Sequence, residues 1–291
     1  MQSEKFQVLV TDISLEEVRL FQQFIRSQIG VELGKNSQQL LVSRLAPRIL
    51  QLELDSFATY FQFITNTEGK SIQEDILCID LLTTNETYFF REQKQLNFFK
   101  EYIGTLNYSQ ISVWSAACSS GEECYSIAMI LANEFGFSPS WRVFGSDISA
   151  RMIAKAKRAI YQDVRTDFLP KEFRLKYLMH SKDLRENKIT VVPELKKNVE
   201  FFRHNLLNPL PSHNEYFNFI FCRNVMIYFD NERRQQVLRH LLLRLKPGGL
   251  LFVGLSESLR DLQERYLEQI GPSTYMKKSN CENTKASVNE K

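Results

Sequence analysis

The chain has 291 residues, of which 43% are hydrophobic and 24% charged, and its net charge is +3; that length suits one large domain or two modest ones with a substantial core. The charge is too small to imply nucleic-acid binding, and the longest apolar runs, such as Tyr216–Cys222, are far too short to cross a bilayer. Met1–Val10 carries Glu4 and Lys5 and does not read as a signal peptide, so a cytoplasmic address without membrane insertion is expected.

Five cysteines (Cys78, Cys118, Cys124, Cys222 and Cys281) form no C-x-x-C pair, and the histidines form no ligand-like cluster. Reduced structural thiols are expected, and zinc sites and disulfide frameworks have no support. Basic residues outnumber acidic ones between Arg151 and Arg203. Solvated helix faces explain that excess, and an acidic protein partner would also suit it.

The first eighty residues read as helical. Ser14 and Glu17 form a capping-box pair, Val18, Phe21 and Ile25 follow at helical spacing, and Gly30 stands where a C-cap belongs. Leu40, Leu41, Leu45 and Ile49, then Phe57, Tyr60, Phe61 and Ile64, extend the pattern into a small bundle. Asn66–Lys70 is polar and reads as a loop.

From Ile111 the texture changes to strand–helix alternation. Strands are expected at Ile111–Ala117, at Trp141–Ser146 ending in Asp147, at Val199–His204, at Phe217–Cys222 and at Leu250–Leu255. Tyr275–Lys277 is a candidate to close the sheet. Helices are expected after Gly121, from Ser149 to about Tyr161, and over Asn231–Leu245, the last stopped by Pro247-Gly248-Gly249. A helix at Lys171–Met179 and a hairpin around Ile189–Val192 interrupt the alternation and read as an insertion. The pattern predicts an α/β fold with a doubly wound, mostly parallel sheet. The expected divisions are a helical domain over 1–82, a catalytic domain over 83–279 with an inserted subdomain at about 162–198, and a disordered tail over 280–291.

Ligands of open α/β sheets lie beyond the carboxyl ends of the strands. The first such loop, Ser115-Ala116-Ala117-Cys118-Ser119-Ser120-Gly121-Glu122-Glu123, has one glycine and two carboxylates where a dinucleotide site would seat its pyrophosphate. Two like charges at about 4 Å repel by roughly 4 kcal/mol at an effective dielectric near 20. A positively charged, phosphate-free cofactor avoids that cost, and S-adenosylmethionine has these properties. Either glutamate also suits the helix dipole by itself. Asp147 is placed to accept from ribose hydroxyls, with a cap for the helix that follows as the alternative.

Four segments carry a family resemblance: Asn85–Arg91, Trp114–Ser126, Ser146-Asp147-Ile148 and Phe221–Asp230. Their order and spacing, from about Ser14 to Tyr275, resemble the CheR-type chemotaxis receptor glutamate methyltransferases. The resemblance implies methyl transfer from S-adenosyl-L-methionine to glutamates on the cytoplasmic helical region of methyl-accepting chemotaxis receptors. The other product would be S-adenosyl-L-homocysteine, and a monomer is expected. By motif match, Asn85, Thr87, Arg91, Glu123, Asp147, Asn205, Leu206, Arg223 and Asn224 would contact the cofactor, with Arg91 and Tyr228 nearest the transferred methyl. Arg44 and Arg48, four apart around Pro47, would face the receptor, although a solvated face is an equal reading. Cys124 departs from the family, which has proline there. Two other functions remain open on the residues: an S-adenosylmethionine-binding signalling adaptor, or a methyltransferase with another acceptor. The segment Arg223-Asn224-Val225-Met226 lacks the Asn/Asp-Pro-Pro-aromatic loop of nucleic-acid amine methyltransferases.

Overall fold

The computed structural model describes residues 12–34, 36–105, 109–166, 168–210, 215–259 and 266–279. Met1–Val10, Cys281 and the tail over 280–291 lie outside the described residues. The helix Leu15–Ile29 begins on Ser14, whose hydroxyl accepts from the Glu17 N–H while the Glu17 carboxylate accepts from the Ser14 N–H, and it ends on Gly30 at φ 73°. Its apolar stripe, Val18, Phe21, Ile25 and Ile29, packs with Leu41, Leu45 and Ile49 of the helix Ser37–Gln51 and with Phe57, Tyr60 and Ile64 of the helix Phe57–Thr65. Pro47 lies inside the second of these helices without ending it.

The expected loop at Asn66–Lys70 is instead a short helix, Thr67–Ser71, capped by the Asn66 side chain. Gly69 permits this because a Cβ there would stand 2.1 Å from the Phe63 carbonyl oxygen. Intrinsic propensity favours alanine over glycine in a helix by about 1 kcal/mol. The backbone clash outweighs that preference, so Gly69→Ala is expected to lower stability by about 1–3 kcal/mol, read as a fall in the urea midpoint.

The main sheet has seven strands in the order β6-β2-β1-β7-β8-β10-β9. They are β1 (Ile111–Ala116), β2 (Trp141–Asp147), β6 (Val199–Arg203), β7 (Phe217–Cys222), β8 (Leu245–Val253), β9 (Leu267–Gly271) and β10 (Thr274–Lys277). The first five are mutually parallel, β10 runs antiparallel to β8, and β9 runs antiparallel to β10. β7 is buried at every residue, so it reads as a continuous apolar run rather than an alternating one. The helices Gln93–Gly104 and Glu122–Phe135 pack on one face, where Phe99 meets Phe219 and Phe221 edge-on with ring centroids 5.0 and 5.4 Å apart. On the other face Val237, Leu238 and Leu241 of the helix Asn231–Arg244 cover Trp114, Ile220 and Leu251.

A second sheet, β3-β5-β4, is built from Ile160–Gln162 (β3), Leu178–His180 (β4) and Lys188–Val191 (β5). Its central strand is antiparallel to both neighbours, so the expected hairpin gains a third strand. The flanking helices shorten to supply it. The helix Ala150–Arg158 stops at Ala159, which is left-handed at φ 53°, rather than running to about Tyr161. The helix Lys171–Tyr177 likewise gives way to strand at Leu178 rather than running to Met179. Pro247-Gly248-Gly249 does not stop a helix. It lies inside β8, where the pairing with β7 shifts register between Phe217 and Phe219. No described helix is long and apolar enough to cross a membrane.

Candidate active site

Successive strands leave β1 in opposite directions, towards β2 and β6 on one side and β7 and β8 on the other. The crevice at this reversal is where ligands of open α/β sheets lie. A cleft enclosing about 1300 Å³, counting the solvent at its mouth, occupies that place. Asn85, Thr87, Arg91, Glu123, Asp147, Asn205, Leu206, Arg223, Asn224 and Tyr228 all line it. They come from five separate stretches of the chain, brought together by the sheet.

Burial raises the Asp147 carboxyl above the usual aspartate range, against hydrogen bonds from the Ser149 and Ser119 N–H groups. Oδ1 accepts from Ser149 at 2.9 Å and Oδ2 from Ser119 at 2.8 Å. Each oxygen keeps a lone pair for a ligand hydroxyl. Asp147 is not the helix cap that its position also allowed: Ser149 holds that role, its hydroxyl accepting from the Met152 N–H.

The two adjacent glutamates separate. Glu122 is fully buried and takes a hydrogen bond from the Ser120 hydroxyl at 2.6 Å, whereas Glu123 lines the cleft. Glu123 accepts from Ser115 at 2.7 Å and pairs with Arg223 Nη1 at 3.0 Å. The pair of repelling carboxylates expected at the helix start is therefore one carboxylate facing the ligand, with a cation beside it.

Arg223, with a side chain 1% exposed, is the centre of a charge network. Its Nη2 donates to Glu92 Oε2 at 2.9 Å and to the Arg91 carbonyl at 2.7 Å. Glu92 also accepts from Asn224 Nδ2 at 3.1 Å and from the Leu255 N–H at 3.3 Å. Burial pushes the Glu92 carboxyl up, but Arg223 and Asn224 together carry it below its ordinary value. Sequence reading passed over Glu92 and also Glu257, which is 6% exposed and accepts from the Gly254, Asn224 and Ile227 N–H groups. A charged residue next to Arg91 and another just past a strand end were the available signals.

Arg91 donates through Nη1 to the Glu86 carbonyl at 2.7 Å and stands 5.9 Å from the Tyr88 ring centroid. Its neighbours Phe90 and Glu92 are both left-handed, at φ 58° and 56°, as are Ala117, Ser119 and Asn224 at 69°, 48° and 57°. Such residues cost of order 1–3 kcal/mol each and persist where surrounding structure holds them, which concentrates them at functional sites.

The helical region closes one side. Ile29, Val31, Glu32 and Leu33 line the cleft, Val31 bridges Phe229, and the Glu32 N–H donates to the Tyr228 carbonyl at 2.9 Å. Asn205 donates to the Gln28 carbonyl at 3.1 Å, so its amide ties this region to the loop after β6. Arg44 is exposed, but Arg48 is committed elsewhere: its Nε and Nη2 reach Glu74 at 2.9 and 2.6 Å, beside the Tyr60 hydroxyl. Arg44 and Arg48 therefore do not present a joint basic face. Among the described residues no group of acidic, histidine and cysteine side chains could hold a metal.

A cleft with a buried carboxylate, a second carboxylate and apolar walls can take a ligand carrying hydroxyls, a cationic group and an apolar ring. Comparison with known proteins agrees with that chemistry. Residues 85–276 match the family described as "CheR methyltransferase, SAM binding domain", and residues 16–77 match "CheR methyltransferase, all-alpha domain". The chain is 36% identical over 245 residues to the chemotaxis protein methyltransferase of Salmonella typhimurium, covering 84% of each chain. It is 36% identical over 249 residues to that of Escherichia coli, covering 85% of this chain and 86% of the relative. A third relative, from Borreliella burgdorferi, is 35% identical over 279 residues, 91% of this chain and 95% of its own. The cofactor is S-adenosylmethionine, and the chain belongs to the CheR methyltransferase family.

Proposed function

We propose that the protein transfers the methyl group of S-adenosylmethionine to glutamate side chains on the cytoplasmic helical region of methyl-accepting chemotaxis receptors. The products are glutamyl methyl esters and S-adenosylhomocysteine, and the protein acts as a cytoplasmic monomer. The relatives named chemotaxis protein methyltransferases support the chemotaxis setting. The observation that carries the acceptor is a cleft lined by Arg91 and Tyr228 as well as by Asp147 and Glu123.

Asp147 would hold the ribose hydroxyls and Glu123 the amino-acid end of the cofactor. Asn85, Thr87, Asn205, Leu206 and Asn224 would complete its walls, and Arg223 would balance the charge of Glu123. Bound there, S-adenosylmethionine supplies an electrophilic methyl on a sulfonium. A glutamate side chain, with an ordinary pKa near 4.3, is already ionised at neutral pH and needs no base. The protein's task is then to orient it, since positioning alone supplies a large rate factor. Arg91 would draw an acceptor carboxylate into the cleft, with the Tyr228 hydroxyl as a second donor.

Arg91→Ala is expected to lower turnover by about tenfold or more at saturating cofactor, measured as initial rates of label transfer; unchanged kinetics would reject the role. The reading as a whole is tested with labelled S-adenosylmethionine and receptor-containing membranes. Receptor-bound label released by mild base marks an ester. Base-stable label, or no transfer, overturns the acceptor assignment.

A further inference from the structure

We infer that Glu257, which is not among the residues lining the cleft, is a positioning residue that holds the loop carrying Asn224 and Tyr228 in its working shape. The inference rests on the transfer site proposed above and names a further residue that maintains it.

Glu257 is an unusual buried carboxylate. Its side chain is 6% exposed, and burial raises its carboxyl above the glutamate range. Among the described residues it is held by main-chain N–H groups rather than by a cation, among them Gly254 at 2.6 Å and Asn224 at 2.9 Å on Oε2, and Ile227 at 3.3 Å on Oε1, with the Met226 main chain as a further donor. Burying a charge without a counter-ion is costly, and a carboxylate surrounded by main-chain donors is the arrangement that offsets it. Those donors belong to two loops, one after β7 and one after β8.

Asn224 is the point at which the arrangement matters. It is left-handed at φ 57°, a conformation that asparagine tolerates only at some cost. Two carboxylates hold it, Glu257 on the main-chain N–H and Glu92 on the side-chain amide at 3.1 Å. The Ile227 bond then fixes the turn Met226–Tyr228, whose last residue faces the cleft. Gly254 completes the fit, because a Cβ there would stand 2.7 Å from Glu257 Oε2 and 3.0 Å from the Asn224 nitrogen. Glutamine at 257 would turn an amide N–H towards one set of these donors and release the turn.

The experiment compares wild type, Glu257→Gln and Gly254→Ala by calorimetric titration with S-adenosylhomocysteine and by methyl-transfer kinetics, below the unfolding range of each. Glu257→Gln is expected to weaken S-adenosylhomocysteine binding about tenfold and lower kcat about tenfold, with KM for the receptor within about twofold. Gly254→Ala, whose Cβ would press both on the same carboxylate and on Asn224 without removing the charge, is expected to reproduce that split and serves if the glutamine variant does not fold. A folded variant with wild-type affinity and kcat, or one losing only thermal stability, overturns the inference. Absence of binding in the wild type would instead sink the cofactor site itself, so the two failures are separable.

Discussion

Replacing Asp147 with alanine is expected to weaken S-adenosylhomocysteine binding by about a hundredfold or more. A hydrogen bond to a charged group contributes about 1.5–3 kcal/mol, and two ribose hydroxyls on this buried carboxylate, as proposed, would make two of them. Each 1.4 kcal/mol is about a factor of ten in affinity. The change also strips the acceptor from the N–H groups of Ser119 and Ser149, and the first of these holds Ser119 at φ 48° in the cofactor loop. Asp147→Asn keeps one carbonyl acceptor and should fall between the two. Calorimetric titration measures both variants, and an alanine variant within about threefold of wild type would remove Asp147 from the site.

The same residue predicts a pH dependence with opposite signs for binding and folding. Burial raises the Asp147 carboxyl above its unfolded value of 3.8, so the native state takes up a proton more readily than the unfolded chain. This group's contribution to stability is therefore fully present below the unfolded pKa and is lost as pH rises through the raised one. Ligand binding needs the ionised form, because a protonated carboxyl loses acceptor capacity. Affinity should thus fall on acidification, starting above the ordinary aspartate range, where Asp147 itself opposes binding but favours folding. Asp147→Asn should flatten that limb of the affinity profile.

Arg223→Met is expected to have the largest effect on stability, lowering the free energy of unfolding by about 3–5 kcal/mol, because removing one partner of a buried ion pair leaves the other charge uncompensated. Here two carboxylates are orphaned, Glu92 and Glu123, each with a side chain only 15% exposed. Against a total of about 5–15 kcal/mol, that is a large share. Adding Glu92→Gln to the Met variant should recover part of the loss, since it removes one of the two stranded charges. Urea unfolding followed by circular dichroism tests this, and a single variant within about 1 kcal/mol of wild type would show the network to be energetically idle. Glu92 supplies a second check. Its lowered carboxyl contributes stability above its unfolded value of 4.5 that is lost as pH falls through the lower native value, and Arg223→Met should abolish that acid slope.

Much of the fold was readable because periodicity reports one-dimensional facts. The capping box at Ser14 and Glu17, the buried run Phe217–Cys222 and the leucines facing the sheet from Asn231–Arg244 all follow from which positions must avoid water. The misread places share a cause. Asn66–Lys70 and Pro247-Gly248-Gly249 have loop-like composition, yet the first forms a helix capped by Asn66 and packed close on Phe63, and the second lies within β8 between the paired residues Leu245 and Leu250. β9 and β3 were missed because edge strands and three-residue strands, such as Ile160–Gln162, carry too few residues for a period to emerge.

Sequence alone singled out the candidate residues and the strand ends near which most of them cluster, since strand order and connection length dictate where loops gather. Tertiary structure alone decided which of them line the cleft and what charge they present. Glu122 and Glu123 are adjacent and chemically identical, yet one turns into the core and the other into the cleft beside Arg223. Arg44 and Arg48 stand four apart on one helix, but Glu74, distant along the chain, removes the second from any shared surface. The physical reason is the same in each case: an ionised side chain is governed by its nearest counter-charge and its access to water, and both are set by parts of the chain that sequence spacing does not bring together.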